Sequence, residues 1–292
     1  MDLRPDGIAV AQVTRPRIGK PQLQFAQWLP SERATTAKET LRAAEKSRGL
    51  RGADTVSVMD PSAYSLLLVE APDVEPAELR AALRWRVKDM IDFHIDDAVI
   101  DVFDLPGGGQ RGRARMMYAV AARTAQVRSQ VDIFDEVGLD LSAIDIAELA
   151  LRNVTAGLPE DASGVALLHL CGGTGLIVVT HQGHLYLARS LEVDPSPGGE
   201  ERALETLTLE IQRSLDYYES HFSQPPVKAL VVAQAEDAGG DLAVALRQGL
   251  AVAVQPLDLG GLVDCVDPVD AGVAARCLPA IGAALRTEST TL

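Results

Sequence analysis

The residues best placed to do chemistry are Leu170-Cys171-Gly172-Gly173-Thr174-Gly175. Glycines let backbone N–H groups turn toward a phosphate, and Thr174 adds a hydroxyl. The run after Gly175 (LIVVT) has the pattern of a strand. A dinucleotide fingerprint or a P-loop needs a helix N-terminus there, so both are excluded. What remains is a glycine-rich hairpin between two strands, either a phosphate clasp or an ordinary tight turn. A second candidate opens the chain. Asp2-Leu3-Arg4-Pro5-Asp6-Gly7 reads as strand, turn and strand with an acid that can form a matching clasp, although Pro, Asp and Gly also suit a plain turn.

Three other groups are weaker. His181-Gln182-Gly183-His184 sets two imidazoles across a hairpin, but no third metal ligand is near in sequence. Cys171 lies in an apolar strand with His169 two residues earlier on the same face, the setting of a buried structural thiol. Asp89, Asp92, Asp96, Asp97, Asp101 and Asp104 alternate with apolar residues, as a solvated face does.

The elements that must position these residues follow from periodicity. Residues 7–13 and 22–28 read as strands joined through Gly19, Lys20 and Pro21; 31–48 reads as a surface helix stopped by Gly49; a strand follows near 55–59. A compact αβ unit comes next. It has a strand at 64–71, Pro76 in a first helical turn, and a helix face of Leu79, Leu83, Val87 and Ile91. Then come a strand at 98–104, a flexible loop at 107–112, a strand at 115–122, and a helix at 125–137 capped by Thr124 and ended by Gly138. A strand (141–146) and a helix (147–156) lead to the clearest linker, Gly157 to Gly164. The second half opens with three strands, 165–170, 175–180 and 184–190, in a meander. After a Pro/Gly loop at 195–199, a long helix (200–221) carries the stripe Leu204, Leu207, Ile211, Leu215 and Tyr218. A strand (228–233), a helix (240–248), a strand (251–255) and a last helix near 270–286 complete an α/β or α+β chain.

Composition bounds the function. The 292 residues suggest two domains, and 47% hydrophobic against 23% charged residues is ordinary for a globular protein. Lys plus Arg is 27 and Asp plus Glu is 41, so the net charge is −14. That balance argues against nucleic-acid binding and against electrostatic docking on anionic lipid. The three cysteines, Cys171, Cys265 and Cys277, form no CxxC pair, which favours a reducing cytosol over a disulfide framework. The acidic N-terminal residues are unlike a signal peptide, and no run approaches a spanning helix, so membrane association is expected to come through a partner.

Longer phrases carry a family resemblance. Residues 82–106 (ALRWRVKDMIDFHIDDAVIDVFDLP), 206–221 (TLTLEIQRSLDYYESH) and 278–286 (LPAIGAALR) resemble the PilM family of type IV pilus assembly proteins, and within it the MshI type of the mannose-sensitive haemagglutinin (MSHA) pilus. The resemblance implies an actin-like, FtsA-like two-domain fold. Residues 1–62 and 144–163 would form a discontinuous first domain, 63–143 an inserted αβ subdomain, and 164–292 a second domain with the phosphate hairpin and the 200–221 helix. It implies a cytoplasmic scaffold, not an enzyme, recruited to the inner membrane by the N-terminal tail of a bitopic PilN-like protein, alongside other pilus assembly components. An extended tail held in a groove between the first domain's subdomains gains main-chain hydrogen bonds and side-chain pockets. An acidic scaffold suits a basic or polar tail, and salt would then weaken the complex.

The resemblance also implies ATP with Mg²⁺ as the fold's ligand, through Asp2, Arg4, Gly172, Gly173, Thr174, Gly239 and Gly240. All three nucleotide motifs depart from the family pattern. Arg4 and Pro5 stand where small residues are usual, and proline has no N–H to donate. His169 stands where an acid usually works with Mg²⁺, and the glycines 239–240 come late after their strand. ATP binding is therefore expected to be weakened or lost, with Arg4 in part compensating by pairing with phosphate. The rivals are an active actin-like ATPase and a GspL-like secretion component, which would continue into a membrane span.

Overall fold

The computed structural model describes residues 1–31, 36–75, 78–106, 115–192, 200–234 and 242–288. Asp2–Arg4 (β1), Gly7–Thr14 (β2) and Gln22–Pro30 (β3) form an antiparallel meander. Gly7 is needed where β2 meets β3, because a Cβ there would stand 2.4 Å from the Trp28 ring and 2.5 Å from the Leu29 carbonyl oxygen. The first helix, Ala37–Arg48 (α1), starts in a capping box of Thr36 and Glu39 and stops at Gly49, whose φ of 65° is left-handed. Part of its expected start, 32–35, lies outside the described residues. Thr55–Val58 (β4) then pairs in parallel with β1.

The αβ unit follows as read. Tyr64–Glu70 (β5), Leu79–Val87 (α2), Ala98–Asp104 (β6) and Met116–Arg123 (β7) build a three-stranded antiparallel sheet, order β5-β7-β6, with Leu83 and Val87 buried on it. The helix is shorter than the apolar spacing suggests. Arg84 Nη2 donates to the Ile95 carbonyl at 2.6 Å, holding the returning chain against the helix, and Ile91 packs on the core from the turn beyond it. Pro76 and the 107–112 loop lie outside the described residues.

Thr124–Val137 (α3) corrects the expected cap. Thr124 is the first helical residue, and its hydroxyl donates 2.8 Å to the Asp97 carbonyl, tying the helix to the turn just before β6 instead of capping it. Gly138 ends the helix with a φ of 79°, as expected. Leu141–Asp145 (β8) joins β4 in parallel, and Ala147–Thr155 (α4) follows.

The stretch 157–164 is tightly bound, unlike a free linker. Asp161, 5% exposed, accepts from Thr180 Oγ1 at 2.7 Å and from the Gly183 amide at 2.6 Å, while its carbonyl accepts the Gln182 amide at 2.9 Å. A buried carboxylate with charge-assisted bonds of this kind anchors the segment to the next hairpin.

Val165–Cys171 (β9), Thr174–His181 (β10) and His184–Glu192 (β11) are the expected meander. Glu200–Phe222 (α5) lays Leu207, Ile211, Leu215 and Tyr218 on this sheet, and the loop at 195–199 lies outside the described residues. Ala229–Gln234 (β12), Leu242–Gly249 (α6) and Ala253–Pro256 (β13) extend the sheet to the order β11-β10-β9-β12-β13, with β9, β12 and β13 parallel.

The chain then returns to the first sheet. Leu259–Leu262 (α7) leads into Asp264–Cys265 (β14), which pairs with β3 to give the six-stranded order β14-β3-β2-β1-β4-β8. The single last helix expected near 270–286 is two, Ala271–Arg276 (α8) and Leu278–Ala284 (α9), broken at Cys277. Pro279 is the reason. It has no N–H for the Ala275 carbonyl four residues back, and its ring disfavours continuing α8 through Leu278. α9 crosses α4, where Gly282 meets the Ala150 backbone. No helix among the described residues is long and apolar enough to cross a membrane.

Candidate functional site

The β1–β2 and β9–β10 hairpins, read as two facing clasps, meet at one side chain. Arg4, leaving β1, donates from Nε to Asp2 Oδ2 at 2.7 Å, with Nη2 at 2.6 Å from the same oxygen. Its Nη1 reaches Cys171 Sγ at 3.0 Å, at the end of β9, and its Nη2 reaches the Arg276 carbonyl at 3.4 Å. One guanidinium thus joins the two sheets and α8. The Trp28 ring supports it, with the guanidinium carbons of Arg4 and Arg276 5.9 and 5.1 Å from its centroid.

Burial sets the electrostatics. Asp2 is 2% exposed, and desolvation raises its pKa, while the Arg4 guanidinium pulls the other way. Burial also works against the charge on Arg4, but Asp2 and Cys171 outweigh it and hold the guanidinium protonated. Cys277 is fully buried nearby, and desolvation pushes its thiol up to about 12. It stays a neutral thiol, as a structural cysteine does.

The glycine hairpin is closed on itself. Gly172 and Gly173 take φ values of 62° and 79°, the two left-handed residues of a tight hairpin turn, and no atom lies within 4 Å of a Cβ built on either. The glycines are therefore required by torsion and not by space. Thr174 Oγ1 donates 2.9 Å back to the Cys171 carbonyl. Gly239 and Gly240 lie outside the described residues. His181 and His184 pair across the end of β10–β11, and among the described residues no group of three His, Cys, Asp or Glu side chains converges as metal ligands would.

His169 faces the same junction. It is 6% exposed, and its Nε2 lies 2.8 Å from the Ala275 carbonyl. Pro279, four residues on, has no N–H to offer that carbonyl, and the imidazole donates to it. Burial first, and then Arg4, lowers its pKa from 6.5 to about 4, so it is neutral near pH 7. Between those two values the unfolded chain takes up a proton that the folded chain refuses. The contribution of His169 to stability is therefore full above pH 6.5 and falls as the pH drops toward 4, by about 3 kcal/mol at most. We predict that His169→Gln, which keeps a donor for Ala275, shows a shallower loss of stability between pH 6.5 and 4.5 than the parent in urea titrations. Equal slopes would contradict this assignment.

A second buried polar cluster joins the αβ unit to α4. Tyr64 Oη, on β5, donates 2.5 Å to Glu148 Oε2 on α4 and accepts the Ala147 amide at 3.3 Å. Burial raises the Glu148 pKa.

No family model and no curated protein matches the chain. Solved structures do. A "PilM-PilN type IV pilus biogenesis complex" aligns over 97% of this chain and 95% of that one, at 16% identity and a TM-score of 0.75. A Bacteroides thetaiotaomicron protein with an actin-like ATPase fold aligns over 94% and 93%, at 9% identity and a TM-score of 0.48. The fold is actin-like. The cytoplasmic domain of EpsL, an inner-membrane component of the type II secretion system of Vibrio cholerae, aligns over 78% and 83%, at 15% identity and a TM-score of 0.47.

In this actin-like fold, the residues between the two hairpins can be weighed against a magnesium nucleotide. Pro5 offers no N–H in the first turn. The carboxylate of Asp2 is bound to Arg4, and the Thr174 hydroxyl donates within its own turn. His169 is neutral and turned to Ala275. Sequence reading found Asp2, Arg4 and the hairpin, but missed that Arg4 binds Cys171, and missed Trp28 and Arg276. The departure of Arg4 and Pro5 from small residues was the available signal.

Proposed function

We propose that this chain is a non-catalytic scaffold of a type IV pilus assembly platform, of the MSHA type, that holds the N-terminal cytoplasmic tail of a PilN-like membrane protein. The observation that carries this reading is the whole-chain likeness to the PilM–PilN complex, at a TM-score of 0.75. The phrases at 82–106, 206–221 and 278–286 support it independently. On this reading residues 1–62 and 144–163 form the first domain, 63–143 the inserted subdomain and 164–292 the second. The tail lies in a groove between the subdomains of the first domain, and the partner recruits the chain from the cytoplasm to the inner membrane.

We further infer that the cleft does not take Mg²⁺–ATP. The Asp2–Arg4–Cys171 contacts support this, because they place a paired guanidinium between the hairpins. With Arg4 committed to protein partners, it does not serve as the phosphate counter-charge.

Titration of the chain with the tail peptide of the PilN-like protein tests the main reading. We expect saturable binding that weakens as salt rises, since the chain carries a net −14. No binding, with or without nucleotide, would remove the tail-binding mechanism.

A further inference from the structure

The second sheet carries a pocket of about 770 Å³ at the end away from Arg4. Ala162 and Ser163 line it just before β9, Lys228 just before β12 and Ala253 at the start of β13, and one face of α5 closes it. Cys171 stands at the other end of β9, roughly 20 Å along the strand. The pocket is mostly apolar. Leu215 and Val252 supply apolar surface, and Pro225 and Pro226 make a wall whose backbone their rings hold rigid. Cavities of this size, apolar with a few polar groups, are the usual form of a small-ligand site.

Several charges at this end are held by the protein itself. Asp161 accepts from Thr180 and Gly183, Glu160 accepts from Gln255 Nε2 at 2.9 Å, and Asp216 accepts from Gln212 Nε2 at 2.7 Å. Arg247 Nε donates to the Val254 carbonyl at 2.8 Å. Two opposite charges are left on the pocket itself. Glu219, on the face of α5 that carries Gln212 and Leu215, and Lys228, ahead of β12, both line it. Neither forms an ion pair with the other or with any other group among the described residues. Polar atoms beside them also lack partners. Gln212 keeps its Oε1 for a donor, and His181, which lines the pocket, has a buried Nδ1 with no hydrogen bond. The hydroxyl of the fully buried Tyr218 is unpartnered as well, 3.2 Å from where a Cβ would stand on Gly164, the residue after Ser163. Buried polar atoms are rarely left so.

We propose that this pocket binds a free di- or tripeptide with apolar side chains. The peptide's ammonium, an N–H donor on all sides, would meet the Glu219 carboxylate and Gln212 Oε1. Its carboxylate would meet Lys228, and its side chains would cover Leu215, Val252 and the two prolines. A zwitterion pairs both charges, whereas a simple anion would be set against Glu219 and a simple cation against Lys228. The pocket shares no lining residue with the Arg4 contacts or with the cluster at Tyr64, so the proposal stands independently of the scaffold reading.

The test titrates the full chain by calorimetry with leucyl-leucine and leucyl-alanyl-leucine, and with their N-acetyl and C-terminal amide forms. We expect at least one free peptide to bind, and each of its blocked forms to bind about tenfold weaker. Glu219→Gln should weaken the free peptide about tenfold but change the N-acetyl form by no more than about twofold, and Lys228→Met should do the same for the amide form. Hydrogen exchange should slow across residues 227–229 and 251–253 when the peptide binds. No binding of either free peptide, binding without slower exchange at those residues, or variants that weaken free and blocked forms alike would overturn the proposal. An N-acetyl form as tight as the free peptide would make this a carboxylate site, and an amide form as tight would make it an amine site. Either result overturns it as well.

Discussion

Gly282→Ala is expected to cost about 3 kcal/mol of folding stability, near the upper end for an overpacked core. A Cβ on this residue would stand 2.0 Å from the Ala150 carbonyl oxygen and 2.6 Å from its carbon. These are backbone atoms of α4, so no rotamer change relieves the clash. α4 and α9 must separate, and the separation loosens the cluster of Val58, Ala147, Ala150 and Ala283 between them. It also strains the bond from Asn153 Nδ2 to the Gly282 carbonyl, 3.0 Å long. Urea denaturation of parent and variant reads the difference. A variant within about 1 kcal/mol of the parent would mean that the two helices can part freely.

Arg4→Met is expected to be as damaging for a different reason. It leaves Asp2 buried, at 2% exposure, without its cation, and breaks the link to Cys171 across the cleft. Removing one partner of a buried pair typically costs about 3–5 kcal/mol, because the remaining charge stays uncompensated. Two further results separate this from simple loss of packing. The added substitution Asp2→Asn should restore most of the stability, since no lone charge remains. The loss should also shrink as pH falls, because protonating Asp2 removes the same charge. Peptide mapping after brief maleimide treatment should show faster labelling of Cys171 in the single variant. If Arg4→Met were neutral and Asp2→Asn gave no recovery, the cross-cleft pair would not hold the sheets together.

The legible and illegible parts of this fold divide by sequence distance. The β9–β11 meander and the α5 stripe were readable because their hydrophobic periods and glycine turns are local signals. The actin-like class was readable from phrases that recur in a family. Arg4 and Cys171 are 167 residues apart, and nothing in either neighbourhood announces their contact. β14 is two residues long, too short for any period to show. The stretch 157–164 has the composition of a linker, yet Asp161 binds a hairpin about 20 residues later. The break at Cys277 was locally encoded by Pro279, but the apolar run LPAIGAALR outweighed it. Its consequence, a carbonyl left for His169, needed the tertiary structure.

The acidic composition also takes on a location. A net charge of −14 argued against nucleic acid and lipid as partners. Against that background one guanidinium, that of Arg4, is buried between the hairpins and paired with Asp2.

We propose that this actin-like chain works as a binding scaffold with its cleft held by Arg4, and not as a nucleotide-driven enzyme. A calorimetric titration with Mg²⁺–ATP tests it most directly. With the cleft held by Arg4, no measurable heat of binding and no phosphate release are expected. Micromolar binding accompanied by turnover would contradict it.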